Sequence, residues 1–134
     1  LWVLVMAIPL QKRGDMFLAE CSLEELEGVK LLGIVDSGAN TSYLASKVCD
    51  RARLKYKGSR SDILCVHGKE HREIDIEYYR GTVTVGTKSG CGMVYKIDIR
   101  PRIAGVSVDA ILGNDVLRHF NIALNHRDGT GFLV

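Results

Sequence analysis

The chemistry of this chain is concentrated in one short stretch, GIVDSGANTSY, residues 33–43. Small and β-branched residues lead up to a single carboxylate, Asp36, and the chain then breaks into Ser37, Gly38, Ala39 and Asn40. A carboxylate at the mouth of a buried strand is fixed by the strand behind it and exposed by the loop ahead of it, an arrangement suited to acid–base work. Gly38 would give the loop backbone angles closed to other residues, and Ser37 could bond neighbouring main chain.

The elements that must position this loop read as strands and turns. MFLAECSL (16–23) and VKLLGIV (29–35) form an expected hairpin, joined by LEELEG as a short helical or turn segment. TSYLASKVCDRARL fits a short helix, or a strand followed by a turn. SDILCVHGKEHREIDIEYY has apolar residues before the break HGKE. After it, Ile74, Ile76 and Tyr78 alternate with Glu73, Asp75 and Glu77, so the stretch predicts a β-hairpin with an exposed tip. TVTVG, the turn TKSGCG and MVYKIDI repeat the pattern as a second hairpin. The last segment, VDAILGNDVLRHFNIALNHRDGTGFLV, reads as buried strand, glycine turn, short helix near Asp115 to His119, and terminal strands joined by HRDG. The expectation is a mainly β single domain over residues 1–134, without repeats or linkers.

Composition narrows the function classes. With 134 residues and 46% hydrophobic content the chain can build one modest core. Eighteen basic against sixteen acidic residues give a net charge of +2, with no basic run longer than QKR, so neither nucleic acid nor a membrane surface is implied as partner. Cys21, Cys49, Cys65 and Cys91 are too widely and irregularly spaced for a disulfide scaffold and read as free thiols. LWVLVMAIPL at the start is too short to span a bilayer and lacks the basic stretch of a signal peptide, so it reads as strand. The acceptor pattern Asn40-Thr41-Ser42 would put a glycan beside Asp36 in a secretory compartment. The location expected is therefore intracellular, in cytoplasm or a retroelement or viral particle, and not secreted.

Context around Asp36 extends the reading. GIVDSGA resembles the signature of retroviral-type aspartic proteases, the retropepsins, in which an apolar strand ends in Asp-Ser/Thr-Gly-Ala. Far downstream, AILGNDVL resembles the family's second motif: Ile111 and Leu112, then Gly113 and Asn114, before a short helix. The intervening hairpin ILCVHGKEHREIDI resembles the family's flap, with Val66, His67 and Gly68 at its tip. The resemblance spans roughly Ile8 to the C-terminus and implies an acid-protease β-barrel with one short C-terminal helix, acting as a symmetric homodimer.

Retropepsins are half-enzymes, each chain supplying one aspartate. This chain holds one such triplet, because DGT at Asp128 to Thr130 is in the wrong order, so the resemblance implies that two copies must meet. Two carboxyls in contact in a partly dry cleft share one proton and titrate as a pair. The implied activity is endopeptidase cleavage of extended polypeptide by an activated water, with a precursor polyprotein of its own as a candidate substrate and with no metal or cofactor. Ser37 would bond across the dimer axis, Gly38 would let substrate backbone approach, and Ala39 would keep the cleft floor low.

Two positions depart from the viral pattern. Many viral members carry an Asp–Arg ion pair where this chain has Asn40 and Asn114, leaving an amide–amide contact or none. Asp115 keeps a carboxylate at the start of the helix, where unpaired N–H groups favour it. The missing ion pair keeps a second reading open, a catalytically weak or inactive peptide-binding or dimerisation module of the same fold.

Other constellations fail on context. VDSGA partly mimics a serine-protease nucleophile, but all four histidines, His67, His71, His119 and His126, follow it, whereas the chymotrypsin-like order needs one upstream. Cys65, His67 and His71 lack a fourth zinc ligand at suitable spacing. Arg13-Gly14-Asp15 reads as a turn between strands, and Ser22 with Glu25 as a capping box for one helical turn.

Overall fold

A computed structural model describes residues 7–66, 70–98, 102–103 and 105–134. The chain opens with β1 (Ile8–Pro9), β2 (Gln11–Arg13), β3 (Met16–Leu23), β4 (Leu31–Val35) and β5 (Tyr43–Ala45), followed by helix α1 (Ser46–Ala52). Two long strands, β6 (Lys55–Val66) and β7 (Glu70–Arg80), precede β8 (Val83–Val85), β9 (Lys88–Gly90) and β10 (Met93–Ile97). The last part holds β11 (Arg102–Ile103), β12 (Val106–Ser107), β13 (Ala110–Leu112), helix α2 (Asn114–Leu117), β14 (Ile122–Asn125) and β15 (Thr130–Leu133).

Most strands join one sheet in the order β6-β7-β10-β5-β13-β4-β3-β8-β9, with β2 on β3, while β1-β15-β14 and β11-β12 form smaller sheets. The β3–β4 hairpin forms as the alternating apolar runs predict, with Leu18 opposite Ile34 and Cys21 opposite Leu31. Arg13-Gly14-Asp15 falls in the tight turn between β2 and β3, with Arg13 opposite Met16. LEELEG is a turn and not a helix. Glu25 does not close a capping box, because both its carboxylate oxygens accept the Thr82 N–H at 3.1 Å while Ser22 pairs with Thr84 in the sheet.

Three expectations are corrected. The sheet is not a closed barrel: among the described residues β6 and β9 are its open ends. The short β9 leans on a helix instead of another strand, since a Cβ at Gly90 would lie 2.7 Å from Val116 Cα of α2. The second hairpin closes earlier than the sequence suggests. Gly86, with φ +60°, makes a two-residue turn that puts Val85 opposite Lys88, so TVTVG pairs with Lys88-Ser89-Gly90. MVYKI is thereby released to bridge β7 and β5. Finally, the one short helix that the resemblance implied is joined among the described residues by a second, α1, which is the helical alternative read for TSYLASKVCDRARL. In α1, Val48 and Cys49 are buried and Ala52 packs on the same core one turn on, and Arg53 in the left-handed conformation (φ 51°) ends it.

The main core lies between this sheet and both helices, centred on Leu23, Leu44, Val94, Leu112, Val116 and Leu133. Leu44 and Leu112 are fully buried, each worth roughly 2–3 kcal/mol of transfer free energy. Their strands, β5 and β13, are therefore firmly held, and β13 in turn pairs with β4, the strand that leads into Asp36. A smaller cluster of Leu18, Ile34 and Val108, with Ile111 packed against it, forms the floor beside that strand.

Candidate active site

Parallel pairing of β4 with β13 aligns Ile34 with Ile111 and Val35 with Leu112, and the Asp36 N–H carries the ladder one step further by donating to the Leu112 carbonyl at 3.0 Å. The two sequence motifs are thus neighbouring strands. Side chains alternate along a strand, so Asp36 rises on the same face as Ile34 and the smaller cluster. Its carboxylate is half-buried, and Oδ1 accepts the Gly38 N–H at 3.0 Å. The Ala39 N–H returns to the Asp36 carbonyl at 3.2 Å, closing the turn.

Gly38 is needed for a different reason than expected. It is not among the residues of positive φ, but a Cβ there would stand 3.2 Å from Asp36 Oδ1 and crowd the carboxylate. Ser37 and Asn40 are exposed and Ala39 is half-buried. Asn114 donates its side-chain amide to the Ser37 carbonyl at 2.8 Å, and its backbone N–H to the Ala39 carbonyl at 2.8 Å. The Asn114 amide therefore ties both motifs together within one chain, and among the described residues it makes no hydrogen bond to Asn40. Gly113 permits this closeness, since a Cβ there would lie 2.4 Å from the Thr41 carbonyl oxygen and 2.9 Å from that of Ala39.

A buried polar relay that sequence reasoning missed sits directly behind the loop. Ser42 is completely buried, the single buried polar residue among those described. Its Oγ accepts the Gly113 N–H at 3.0 Å and donates to Asp115 Oδ1 at 2.6 Å, while its own N–H donates to Asp115 Oδ2 at 3.0 Å. Its carbonyl accepts the Tyr95 N–H at 3.2 Å. Every polar group of Ser42 is thus paired, as burial demands. Asp115 was legible as a helix-start carboxylate, but it serves this relay and does not cap its own helix. Its charge also bears on Cys91, whose thiol is pushed up to about 12, by burial first and by Asp115 second.

The predicted flap is a hairpin in register from Lys55 opposite Arg80 to Val66 opposite Glu70, with an irregularity between Tyr56 and Gly58. Beyond Tyr78 its arms extend past the last pairing with β10. Val66 ends β6, whereas the tip residues His67 and Gly68 lie outside the described residues. Near the base, Tyr95 packs between Tyr43 and Tyr78, with ring centroids at 5.6 and 5.9 Å, and Arg60 stacks on it at 5.1 Å. Tyr43 directly faces Ile111 across the β5–β13 pair, which places this aromatic group on the Asp36 face.

Among the described residues no group of three or more His, Cys, Asp or Glu side chains is placed to hold a metal ion, and no helix is long and apolar enough to cross a membrane.

No family model and no curated protein matches this sequence. Solved structures do. A retropepsin-like aspartic protease from Rickettsia conorii superposes with a TM-score of 0.58 at 15% identity, over 96% of this chain and 90% of that one. The fold is retropepsin-like. The retroviral protease-like domain of Ddi1 from Leishmania major gives a TM-score of 0.50 at 18% identity, over 84% of this chain and 82% of that domain. At such identities the retropepsin-like architecture is shared while side-chain chemistry must be argued from the residues themselves.

Proposed function

We propose that this chain is one half of an aspartic endopeptidase, completed by a second copy that brings its own Asp36 against the first. The observation that carries the reading is the Asp36 loop. A lone carboxylate stands at the end of a firmly held strand, tied by one oxygen to Gly38 and braced from behind by Asn114, Gly113 and the Ser42–Asp115 relay. Such bracing fits a group whose position must hold to a fraction of an ångström.

Two features favour a second copy as the partner. One carboxylate cannot both activate water and polarise a carbonyl, whereas two sharing a proton can do each. The small terminal sheet also exposes Ile122, Leu124 and Phe132, with Val134 exposed just after it, and β14 has a free outer edge among the described residues. An unpaired edge with exposed apolar side chains suits strand pairing between copies.

In the mechanism, polypeptide lies extended between the flap arms and the paired loops, bonding as an added strand. The ionised carboxylate takes a proton from water, whose oxygen attacks the scissile carbonyl. The protonated partner carboxyl donates to the carbonyl oxygen as charge develops there, and a proton then passes to the departing amine. Ser37, exposed and without a side-chain hydrogen bond among the described residues, is free to bond across the dimer axis.

A peptide-library digest over an acidic to neutral pH series tests this. The reading requires cleavage at mildly acid pH, inhibition by statine-type transition-state analogues, and loss of both in Asp36→Asn. Peptide capture without cleavage at any pH would replace it with the binding-module reading.

A further inference from the structure

A cavity of about 220 Å³ opens at the opposite end of β4 from Asp36, roughly 17 Å away for a five-residue strand. Its floor is apolar, made by Leu26, Val29, Leu31 and Val48. Its rim is cationic, carrying Lys30 beside β4 and Lys47 and Arg51 from α1. The one acid in the lining, Asp109, is already engaged: Oδ2 accepts the Leu32 N–H at 2.9 Å, and Lys47 stands 3.6 Å from Oδ1. Lys30 has only a loose 3.8 Å pair with Glu20, both well exposed, which competes weakly. Arg51 forms no ion pair among the described residues. A chain with a net charge of only +2 thus gathers three cations around one apolar hollow.

We infer that this cavity binds a carboxylate borne on a single branched aliphatic group, the chemistry of a polypeptide C-terminus ending in an apolar residue or of a free short-chain acid. The aliphatic part fills the floor, and Lys30 and Arg51 bracket the carboxylate at the rim, Arg51 offering a planar fork that matches it. The inference stands whether or not Asp36 catalyses cleavage, because no residue of the Asp36 loop takes part.

The test is a chemical-shift titration of the 15N-labelled chain with N-acetyl-leucine, 4-methylpentanoate and, as the uncharged control, N-acetylleucinamide. Both acids should shift the amides of Lys30, Leu31, Val48 and Arg51, and binding should weaken as salt is raised. The double variant Lys30→Gln/Arg51→Gln should lose about tenfold in affinity for both acids. The exposed control Lys55→Gln/Lys57→Gln should bind as the parent does. Tighter binding of N-acetyl-leucine supports the site and points to a polypeptide C-terminus, and equal binding of the two acids supports it and points to a free acid. Equal shifts from the leucinamide, shifts centred elsewhere, or unchanged binding in Lys30→Gln/Arg51→Gln would overturn the inference.

Discussion

Replacing Ser42 by alanine removes one oxygen and no other bulk, and the structure says that this should cost far more than a surface serine. The Gly113 N–H, buried and bonded to Ser42 Oγ at 3.0 Å, would be left without an acceptor, a loss of about 1–3 kcal/mol. The 2.6 Å bond to the Asp115 carboxylate is charge-assisted, worth about 1.5–3 kcal/mol, although half-buried Asp115 would recover part of that by hydration. Together these predict a destabilisation of about 3 kcal/mol. With a urea slope near 2 kcal/mol/M, the unfolding midpoint should fall by about 1.5 M with the slope unchanged. The assay is equilibrium urea unfolding of the parent, Ser42→Ala, Asp115→Ala and the double variant. Because the two residues share one network, the double variant should lose at least about 1 kcal/mol less than the sum of the singles. A Ser42→Ala change within about 0.5 kcal/mol, the size of an ordinary surface substitution, or simple additivity of the pair, would refute the relay as the brace of this loop.

Gly113→Ala should cost about as much as Ser42→Ala, because its new methyl would meet the Thr41 and Ala39 carbonyl groups, which are main chain and cannot swing aside; a loss of about 3 kcal/mol in the same urea assay is expected. Asn114→Ala should cost about 1 kcal/mol of stability, since the Ser37 bond is exposed, yet lower peptide turnover about tenfold by loosening the loop, which a kcat comparison reads. Stability should also fall at alkaline pH. Burial above all pushes Cys21 up to about 12 and Cys49 to about 11 from an ordinary value near 9. The folded chain therefore keeps these protons while the unfolded chain releases them. The contribution is fully present below pH 9 and is lost as pH rises through the folded values, by about 1.4 kcal/mol per pH unit for each thiol. Urea midpoints between pH 8 and 10 should show the decline, and Cys21→Ala/Cys49→Ala should make it shallower, leaving the share of Cys91, whose thiol is likewise pushed up to about 12.

The strands nearest the site were the most legible part of the sequence, because β3, β4 and β13 alternate or run apolar against glycine punctuation. Long-range partnership was less so. Nothing local in TVTVG distinguishes Lys88-Ser89-Gly90 from MVYKI as its partner; the two-residue turn at Gly86 decides it, and β10 then takes a place that only tertiary pairing defines. The open sheet has a similar origin, since Gly90 fits against α2 through the absence of a side chain. At the site, Asp36 and the second motif were found by residue type. Ser42 was not: in the sequence it stood only as the last residue of the Asn40-Thr41-Ser42 pattern, and its burial comes with the pairing of the adjoining β5 with both β10 and β13. Asn114 joins the two motifs without any charge, for its neutral amide reaches the Ser37 carbonyl across their junction.

The proposal that one active site is shared between two chains can be tested most directly by mixing. Wild-type protein is held constant while Asp36→Asn is added in increasing amounts, with subunit exchange verified by sedimentation of labelled chains, and peptide cleavage is measured. If each site needs one Asp36 from each copy, an equal mixture leaves about a quarter of the dimers with both carboxylates, so cleavage per wild-type chain should fall to about half and continue downward with more variant. Cleavage that stays constant while mixed dimers form would contradict a shared site.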